Sequence, residues 1–327
     1  MKPTDQNNAN RATPWVELRS VAYKTLIFKK MIGASSPDAN PGSVVNVYDR
    51  RGKRFGIGLY NPKSILALRM LNFGEEEWDN ANWPEAINRA CSLRLSQLNL
   101  QNQTDAFRLI HAEGDALSGL TADLYQDVLS IVIYSAGMWH QREHWLPPLL
   151  EASKAKHYRL TFDESSKSLE QVAADVERSD DLPKQITLQE NGIRFSVNFE
   201  LGHKTGFFCD QRENRLQLSR MVAGTNVLDL CCFSGGFGIY AKKLGDASEV
   251  HCVDLDEDAV ELAKRNANLN QVRVNTVHAD AFTYMRQMAS NYKTFGVVVL
   301  DPPKLIAGRK DFETGLHKYR DMNRLAA

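Results

Sequence analysis

Four aspartates in the last third of the chain stand where short apolar segments end. They are Asp229, in the stretch "VLDLCCFSGGFG", and Asp254, Asp280 and Asp301 in later segments of the same kind. The apolar segments alternate with helical patterns, which predicts a parallel α/β sheet whose strands end at one edge. One such acid alone is typical of a cap or a turn, but four at successive strand ends predict a ligand crevice.

The loop after Asp229 predicts the kind of ligand. The stretch "SGGFG" lacks the GxGxxG spacing of a dinucleotide site, and Asp229 would repel a pyrophosphate but suit a cation. S-adenosylmethionine meets both conditions, because it carries an ammonium and a sulfonium and no phosphate. We therefore predict that it is the cofactor and that glycines let the backbone approach it. The expected lining from this part of the chain is Asp229, Phe233, Ser234, Gly235 and Gly236.

Two later aspartates match the rest of this cofactor. Asp254 lies about 20 residues beyond the glycine loop, where a nucleotide-like ligand needs an acid for its ribose hydroxyls. Asp280 is followed two residues later by Phe282, which places an acid and an apolar flank for the adenine amino group. We predict that all three residues bind the cofactor.

The stretch "DPPK", which begins at Asp301, predicts a rigid turn at the same edge. Related turns in methyltransferases aim polar groups at an amine or a ring nitrogen, so we predict catalytic roles for Asp301 and Lys304 and a cofactor contact for Asp301. Where the target is an adenine amine, the fourth residue is usually aromatic and stacks on the base. Lys304 argues against that subclass; it either contacts RNA or faces solvent.

The five cysteines predict neither a disulfide framework nor a metal site. They form an odd set without a CxxC pair: Cys91, Cys209, Cys231, Cys232 and Cys252. We expect no metal and a cytoplasmic location, where thiols stay reduced. No apolar run approaches the roughly 20 residues that a bilayer crossing needs, and the polar first dozen residues lack the apolar core of a secretory signal. A membrane partner is therefore not expected.

Positive charge is concentrated at the front of the chain, although the formal net charge is zero. Residues 1–75 carry 12 Lys/Arg and 5 Asp/Glu, residues 76–180 carry 9 and 17, and residues 181–327 carry 19 and 18. A basic front favours RNA as a partner, although basic residues on a small β-domain can also merely protect strand edges. The predicted RNA contacts are Lys29, Lys30, Arg50, Arg51, Lys53 and Arg54.

The patterns predict three domains after a disordered tail at residues 1–12. Alternating runs at residues 13–75, among them "SVVNVYD", "RFGIGLY" and "SILALRML", predict a small β-domain. Residues 76–181 predict an α+β domain with a helix capped by Asn82, a helix broken or started near Pro147-Pro148, and a mobile connection at residues 163–181. Residues 182–327 predict a hairpin around Asn191-Gly192 and then the parallel sheet.

Nearly the whole chain resembles the ribosomal RNA large subunit methyltransferase I family. The resemblance rests on "RLIHAEGDALSGLTADLY", "GHKTGFFCDQRENR", "VLDLCCFSGGFG", the Asp254 strand end and "DPPKL". It implies an N-terminal PUA-like RNA-binding β-barrel, a central α+β domain and a class I, Rossmann-like S-adenosylmethionine domain. It also implies methylation of cytosine carbon 5 in 23S ribosomal RNA. The "HKTGFFCDQR" element implies a cofactor-lining role for Lys204, Thr205, Gly206, Phe207, Asp210, Gln211 and Arg212.

Two departures from the family pattern bear on function. The stretch "TLIFKK" stands where relatives have a His-Pro-Trp before a similar Phe. At the other end, a class I fold needs three more strands, and the resemblance implies that the nucleophilic cysteine lies in that segment, beyond Ala327. A thiolate must add to cytosine carbon 6 before carbon 5 can accept a methyl group. Among the cysteines present, only Cys209 is a candidate substitute, so we expect the sequence to be a fragment of a longer enzyme.

Three interpretations follow. The first is a cytoplasmic, S-adenosylmethionine-dependent ribosomal RNA cytosine-5 methyltransferase. The second keeps the cofactor but places the methyl group on a guanine nitrogen, which needs no cysteine nucleophile. The third is a catalytically incomplete RNA-binding fragment. The expected partner is 23S ribosomal RNA, and a homodimer is left open.

Overall fold

The computed structural model describes residues 11–199 and 207–327 of the 327-residue chain. The chain divides into two compact units, Met1–Pro183 and Lys184–Ala327. Within the described ranges, no helix combines the length and the apolar composition that crossing a bilayer requires. Lys204, Thr205 and Gly206 lie outside the described residues, so their predicted cofactor contacts stay predictions.

A six-stranded sheet opens the N-terminal unit. Its strands are β1 (Trp15–Leu18), β2 (Leu26–Ile27), β3 (Ile32–Ser35), β4 (Ser43–Tyr48), β5 (Arg54–Tyr60) and β6 (Leu68–Phe73), in the order β2-β6-β5-β4-β1-β3. Neighbouring strands are antiparallel except for the parallel pair β1 and β4. The predicted strands in "SVVNVYD" and "RFGIGLY" are confirmed. The third predicted strand begins at Leu68 instead of Ser64, because the preceding residues form the turn from β5.

A five-stranded sheet with four helices completes this unit. The strands are β7 (Ala106–His111), β8 (Leu120–Tyr125), β9 (Val128–Ile133), β10 (His157–Phe162) and β11 (Glu177–Arg178), in the order β11-β10-β9-β8-β7. The helices are α1 (Asn82–Ser92), α2 (Ala136–His140), α3 (Arg142–Ser153) and α4 (Glu164–Glu170). Helices α1 and α3 pack together, and Trp83 and Trp145 are fully buried in the shared core.

Two helix boundaries in this region differ from the sequence predictions. Helix α1 begins at Asn82 itself, so Asn82 is not its cap; its side chain accepts a hydrogen bond from the Asp79 backbone N–H at 2.7 Å. The two prolines, Pro147 and Pro148, lie inside α3 and do not break it. The interruption falls at Gln141, between α2 and α3.

The predicted mobile connection at residues 163–181 is wrong. It contains helix α4 and strand β11, which pairs with β10. Asp163 caps α4 by accepting the Ser166 backbone N–H at 3.0 Å. Glu170 at the end of α4 is only 4% exposed. Its carboxylate accepts hydrogen bonds from Asn61, Ser64 and Ala136, which lie outside α4. The acidic, Ser-containing composition did not indicate that one carboxylate of this segment is buried and hydrogen-bonded.

The C-terminal unit begins with the predicted hairpin. Strands β12 (Gln185–Glu190) and β13 (Ile193–Asn198) are antiparallel, and the turn residues Asn191 and Gly192 have φ of 49° and 80°. Positive φ at both positions is the geometry that makes Asn-Gly favourable in a two-residue turn. Helix α5 (Arg212–Ser219) follows the glycine- and phenylalanine-containing element upstream of the parallel sheet.

A four-stranded parallel sheet forms the centre of this unit. Its strands are β14 (Asn226–Leu230), β15 (Glu249–Asp254), β16 (Asn275–His278) and β17 (Val297–Leu300), in the order β16-β15-β14-β17. Its helices are α6 (Gly236–Lys243), α7 (Glu257–Leu269), α8 (Ala281–Ser290) and α9 (Phe312–Ala326). Two separate apolar clusters lie against the sheet, one with Val227 and Cys252 and one with Leu228 and Leu230. Alternate residues of β14 thus face opposite sides, as a sheet covered on both faces requires.

Candidate functional site

The carboxyl ends of the four parallel strands bring the predicted acids to one edge. Leu230 of β14 is in register with Val253 of β15 and with Leu300 of β17, so these strands end level with one another. Asp254 is the last residue of β15, and Asp301 directly follows β17. Asp280 follows β16 as the cap of α8, whereas Asp229 lies inside β14, one residue before its end.

Asp229 is a buried carboxylate that lacks a full set of donors. Its side chain is 1% exposed, and its Oδ2 accepts the Gly238 backbone N–H at 2.9 Å. Its Oδ1 is buried without a hydrogen-bond partner among the described residues. Burial raises the pKa of Asp229 to about 7, against the stabilising Gly238 hydrogen bond, and the charges of Asp301 and Asp254 raise it further. A hydrogen-bond donor beside Oδ1, above all a cationic one, would therefore stabilise the ionised carboxylate.

Asp254 shapes the glycine loop. Its Oδ2 accepts the Phe233 backbone N–H at 2.8 Å, and its Oδ1 accepts the Asp256 backbone N–H at 3.0 Å. Each carboxylate oxygen can accept more than one hydrogen bond. Asp254 can thus hold the loop and still accept hydroxyl groups from a ligand.

Asp280 has a structural task that sequence reasoning did not assign. Its Oδ1 accepts the Thr283 backbone N–H at 2.9 Å and the Thr283 hydroxyl at 3.0 Å, which caps α8. Phe282, in the first turn of that helix, is half-buried and packs on the apolar cluster of Leu230. Their predicted adenine contacts stay predictions, since capping accounts for Asp280 in the free protein.

The glycines of the loop serve internal packing. Gly235 has φ of 72°, and a Cβ there would meet the Ala263 Cβ at 3.0 Å. A Cβ at Gly236 would meet the Arg215 Cδ at 3.0 Å, and one at Gly238 would meet the Cys252 Sγ at 2.3 Å. The structure thus gives a reason for these glycines that differs from the predicted approach of a ligand.

The segment that begins at Phe207 contacts the turn at Asp301. The Gln211 amide donates to Asp301 Oδ2 at 3.3 Å, and the Asn214 amide donates to Gln211 Oε1 at 2.7 Å. Partial burial raises the pKa of Asp301, and the charge of Asp210 raises it further, while Arg215 opposes the shift. The two elements that sequence motifs singled out, around Gln211 and around Asp301, are therefore neighbours in space.

The remaining predicted side chains of these two elements make few contacts that point to a ligand. Phe207 is 4% exposed, so it belongs to the core beneath the site. Arg212 donates from Nε to Glu213 Oε1 at 3.2 Å. Lys304 is exposed, and the turn behind it is held by the Leu305 backbone N–H, which donates to the Tyr319 hydroxyl at 3.1 Å.

A buried ion pair that sequence reasoning missed supports this arrangement. Arg215 donates from Nε and Nη2 to Glu190 Oε1 at 3.0 and 2.7 Å, and the two side chains are 4% and 0% exposed. The Tyr240 hydroxyl donates to the same Glu190 oxygen at 2.9 Å. Burial raises the pKa of Glu190, and its bonds to Arg215 oppose that shift. The pair joins the β12–β13 hairpin to helices α5 and α6.

Arg215 also touches both sides of the candidate cofactor site. Its Nη2 donates to the Phe208 carbonyl at 3.1 Å, and its guanidinium lies 4.8 Å from the Phe207 ring centroid. The Phe208 ring meets the Phe233 ring of the glycine loop edge-on, with centroids 5.3 Å apart. The only sequence signal was the apolar spacing of "RENRLQL", in which an arginine occupies an inward position.

Asn266 on α7 fixes the other side of the glycine loop. It is fully buried, donates to the Ser234 carbonyl at 3.0 Å, and accepts the Ser196 backbone N–H at 2.8 Å. Ser234 itself is 5% exposed. The backbone of the loop is thus held from the hairpin and from α7.

Two thiols of the glycine loop, Cys231 and Cys232, are poor nucleophiles. Burial raises the pKa of Cys231 to about 12, helped by the charges of Asp254 and Asp229. A hydrogen bond with Cys252 and burial raise the pKa of Cys232 well above its usual value. Cys209 is half-buried in the turn that precedes α5. Among the described residues, no group of His, Cys, Asp and Glu side chains could hold a metal ion.

The predicted RNA contacts lie in two connections of the six-stranded sheet. Lys29 and Lys30 are exposed in the short helical turn after β2. Arg50, Arg51 and Lys53 are exposed in or beside the turn between β4 and β5. Arg54 does not fit the prediction, because its side chain is only 13% exposed and its guanidinium forms a two-bond pair with Glu77.

Two family models match this chain, one in each compact unit. A PUA-like domain model matches residues 22–73, and a methyltransferase small domain model matches residues 200–315. A ribosomal RNA large subunit methyltransferase I of Photobacterium profundum is 32% identical over 98% of this chain and 79% of its own length. The chain belongs to the ribosomal RNA large subunit methyltransferase I family. A member from Vibrio cholerae is 34% identical over 90% of this chain and 76% of its own length.

Solved structures agree on the fold of this family member. A crystal structure assigned to a methyltransferase complexed with SAH superposes with a TM-score of 0.77, covering 92% of this chain and 78% of that chain at 20% identity. One assigned to a SAM-dependent methyltransferase from Streptococcus mutans gives the same TM-score over 95% and 82%. At this identity the likeness establishes the methyltransferase fold, in agreement with the prediction from the sequence.

Proposed function

We propose that this chain transfers the methyl group of S-adenosylmethionine to carbon 5 of a cytosine in 23S ribosomal RNA. Family membership supports the RNA class and the methyl transfer. The observation that supports S-adenosylmethionine as the cofactor is the buried Asp229 carboxylate, whose Oδ1 receives no hydrogen bond from the described residues. A ribosomal RNA substrate would place the reaction in the cytoplasm.

The strand-end residues fit S-adenosylmethionine. Asp229 would receive the ammonium of the cofactor, since a buried carboxylate without enough donors favours a cation. Asp254 would accept the ribose hydroxyls, and Phe282 would contact the adenine face. When bound, the cofactor supplies a methyl group on an electrophilic sulfonium. The remaining expected lining is the glycine loop with Asp210, Gln211 and Arg212, together with the undescribed Lys204, Thr205 and Gly206.

Asp301 would orient the target base. A carboxylate accepts a hydrogen bond from the exocyclic amine of cytosine, and Gln211 holds the Asp301 carboxylate at 3.3 Å. Lys304 is exposed beside it and would pair with an RNA phosphate. The raised pKa values of Cys231 and Cys232 keep these thiols protonated near neutral pH. Among the described cysteines, Cys209 in the turn before α5 is therefore the candidate for the thiolate that adds to carbon 6.

Those raised thiol pKa values also favour a second candidate, methylation of a guanine nitrogen, because that reaction needs no thiolate. Asp301 could accept a hydrogen bond from a guanine amine as well. Mass spectrometry of the product distinguishes the two bases.

Methyl transfer from isotope-labelled S-adenosylmethionine to 23S ribosomal RNA tests the proposal. We expect label in 5-methylcytosine after nuclease digestion, and an Asp301→Ala variant about 100-fold slower because no side chain then accepts the hydrogen bond that orients the base. Label in a methylguanosine would replace the first candidate by the second. Binding of RNA and cofactor without any transfer would contradict both and favour a binding fragment.

A further inference from the structure

One end of the six-stranded sheet carries an aromatic platform, which we define as Tyr23, Phe55 and Phe73. The Tyr23 ring centroid lies 5.1 Å from that of Phe55 and 5.7 Å from that of Phe73, and the two phenylalanines are 5.5 Å apart. Phe55 is 6% exposed, whereas Phe73 is 39% and Tyr23 is 80% exposed. A buried ring therefore supports two rings that face solvent.

The fold fixes this platform. Phe55 and Phe73 lie on neighbouring strands β5 and β6, and the Gly74 backbone N–H donates to the Phe55 carbonyl at 2.9 Å. Gly56 permits the close approach, since a Cβ there would lie 2.3 Å from the Asn72 carbonyl oxygen. Tyr23 adds little to the core at its exposure, so folding alone does not explain an aromatic residue there.

Positive charge lies on one side of the platform. The turn that leads into Phe55 exposes Arg50, Arg51 and Lys53, and no ion pair within the described residues engages these three side chains. Asp49 Oδ1 accepts the Arg51 and Lys53 backbone N–H groups, each at 2.8 Å, which makes this turn rigid. The acidic stretch "GEEE" follows Phe73, and Arg54 binds its last acid, Glu77, so this acid is already paired. An anionic chain would therefore run along the turn.

We propose that the aromatic platform stacks an unpaired base of the ribosomal RNA while Arg50, Arg51 and Lys53 contact the adjoining phosphates. Exposed aromatic rings beside a basic track are the arrangement that binds single-stranded nucleic acid. A paired base is already covered on both faces, so duplex RNA cannot use the rings. The inference rests on the ribosomal RNA substrate proposed above.

Binding of a fluorescein-labelled, unstructured 12-nucleotide RNA, followed by anisotropy at several salt concentrations, separates stacking from charge. Tyr23→Ala should weaken binding about tenfold at every salt concentration, because stacking does not release counterions. Tyr23→Phe should restore the affinity. Arg51→Ala should instead lower the slope of log affinity against log salt by about one. Tyr292→Ala, at a tyrosine that is 94% exposed in the other unit, is the matched control and should bind as wild type.

The outcomes are distinguishable. Wild-type affinity of Tyr23→Ala for the 12-mer, with an unchanged tryptophan emission spectrum, would overturn the platform but leave the ribosomal RNA substrate standing. Failure of Tyr23→Phe to rescue would also overturn it, because a hydroxyl contact would then explain the loss. If the wild-type protein binds neither the 12-mer nor 23S ribosomal RNA, the proposed substrate itself fails.

Discussion

Asp229 is a buried carboxylate whose pKa is set by the few hydrogen bonds it receives. In the free protein its carboxylate loses water and gains only the Gly238 backbone N–H within the described residues, so its pKa rises to about 7. A carboxyl group with a pKa raised from 3.8 binds a proton more readily in the folded state than in the unfolded state. Its ionisation therefore lowers the stability of the cofactor-free protein as pH rises from about 4 to about 7.

We predict the opposite trend for cofactor binding. The ammonium of S-adenosylmethionine stabilises ionised Asp229, so affinity should rise up to about tenfold per pH unit between pH 5.5 and pH 7 and then level off. Asp229→Asn should bind weakly with a flat profile in this range, as measured by isothermal titration calorimetry. Asp246→Asn, at an exposed acid of the same unit, should keep the wild-type profile. Parallel profiles for Asp229→Asn and the wild-type protein would contradict the ammonium contact.

Helix α5 connects the two motif-bearing elements through Arg215. Its guanidinium binds the Glu190 carboxylate and the Phe208 carbonyl, and its stem lies against Gly236. A lysine would keep the charge but not the several directed bonds of a guanidinium. Arg215 is therefore a positioning residue for the glycine loop and for the Phe207–Phe208 segment.

Arg215→Lys should lower the free energy of unfolding by about 3 kcal/mol, as expected when a buried pair is disrupted, and should weaken S-adenosylmethionine binding about tenfold. Thermal unfolding monitored by circular dichroism, with and without cofactor, gives both quantities. Arg220→Lys, at the exposed end of the same helix, should change neither. Loss of stability with unchanged cofactor affinity would reduce Arg215 to a role in folding only.

Across the whole N-terminal unit, Glu170 ties the six-stranded sheet to the five-stranded one. It accepts the Asn61 amide at 3.0 Å, the Ser64 hydroxyl at 2.8 Å and the Ala136 backbone N–H at 3.1 Å. Arg69 lies 3.9 Å away and has its pKa lowered by burial. Both sheets belong to the same compact unit, and Glu170 contributes buried hydrogen bonds between them.

Glu170→Ala should therefore lower the free energy of unfolding of this unit by about 3 kcal/mol, because it leaves several buried donors and Arg69 uncompensated. All five tryptophans lie between residues 15 and 145, so tryptophan fluorescence in a urea titration reports on this unit alone. Glu164→Ala removes an exposed pair with Lys167 and should change the value by less than about 0.5 kcal/mol. Equal effects of the two substitutions would show that Glu170 does not link the two sheets.

Much of the fold followed from local patterns. Apolar alternation located β4 and β5, the Asn191-Gly192 pair located a hairpin, and the βα alternation predicted the parallel sheet. The errors arose where one long-range contact overrides composition. Residues 163–181 read as a mobile connection because their polar character hides the buried Glu170.

By itself, the sequence determined the kind of sheet and the acids at the carboxyl ends of its strands, because strand periodicity and strand-end position are local properties of a chain. Only the tertiary structure decided which donors each acid meets. Glu190 and Arg215 are 25 residues apart, and Gln211 and Asp301 are 90 apart. Asp229 and Asp280 look alike in sequence, yet packing buries the first and makes the second a helix cap. Burial and partner choice depend on which distant elements pack together, and no local pattern encodes that.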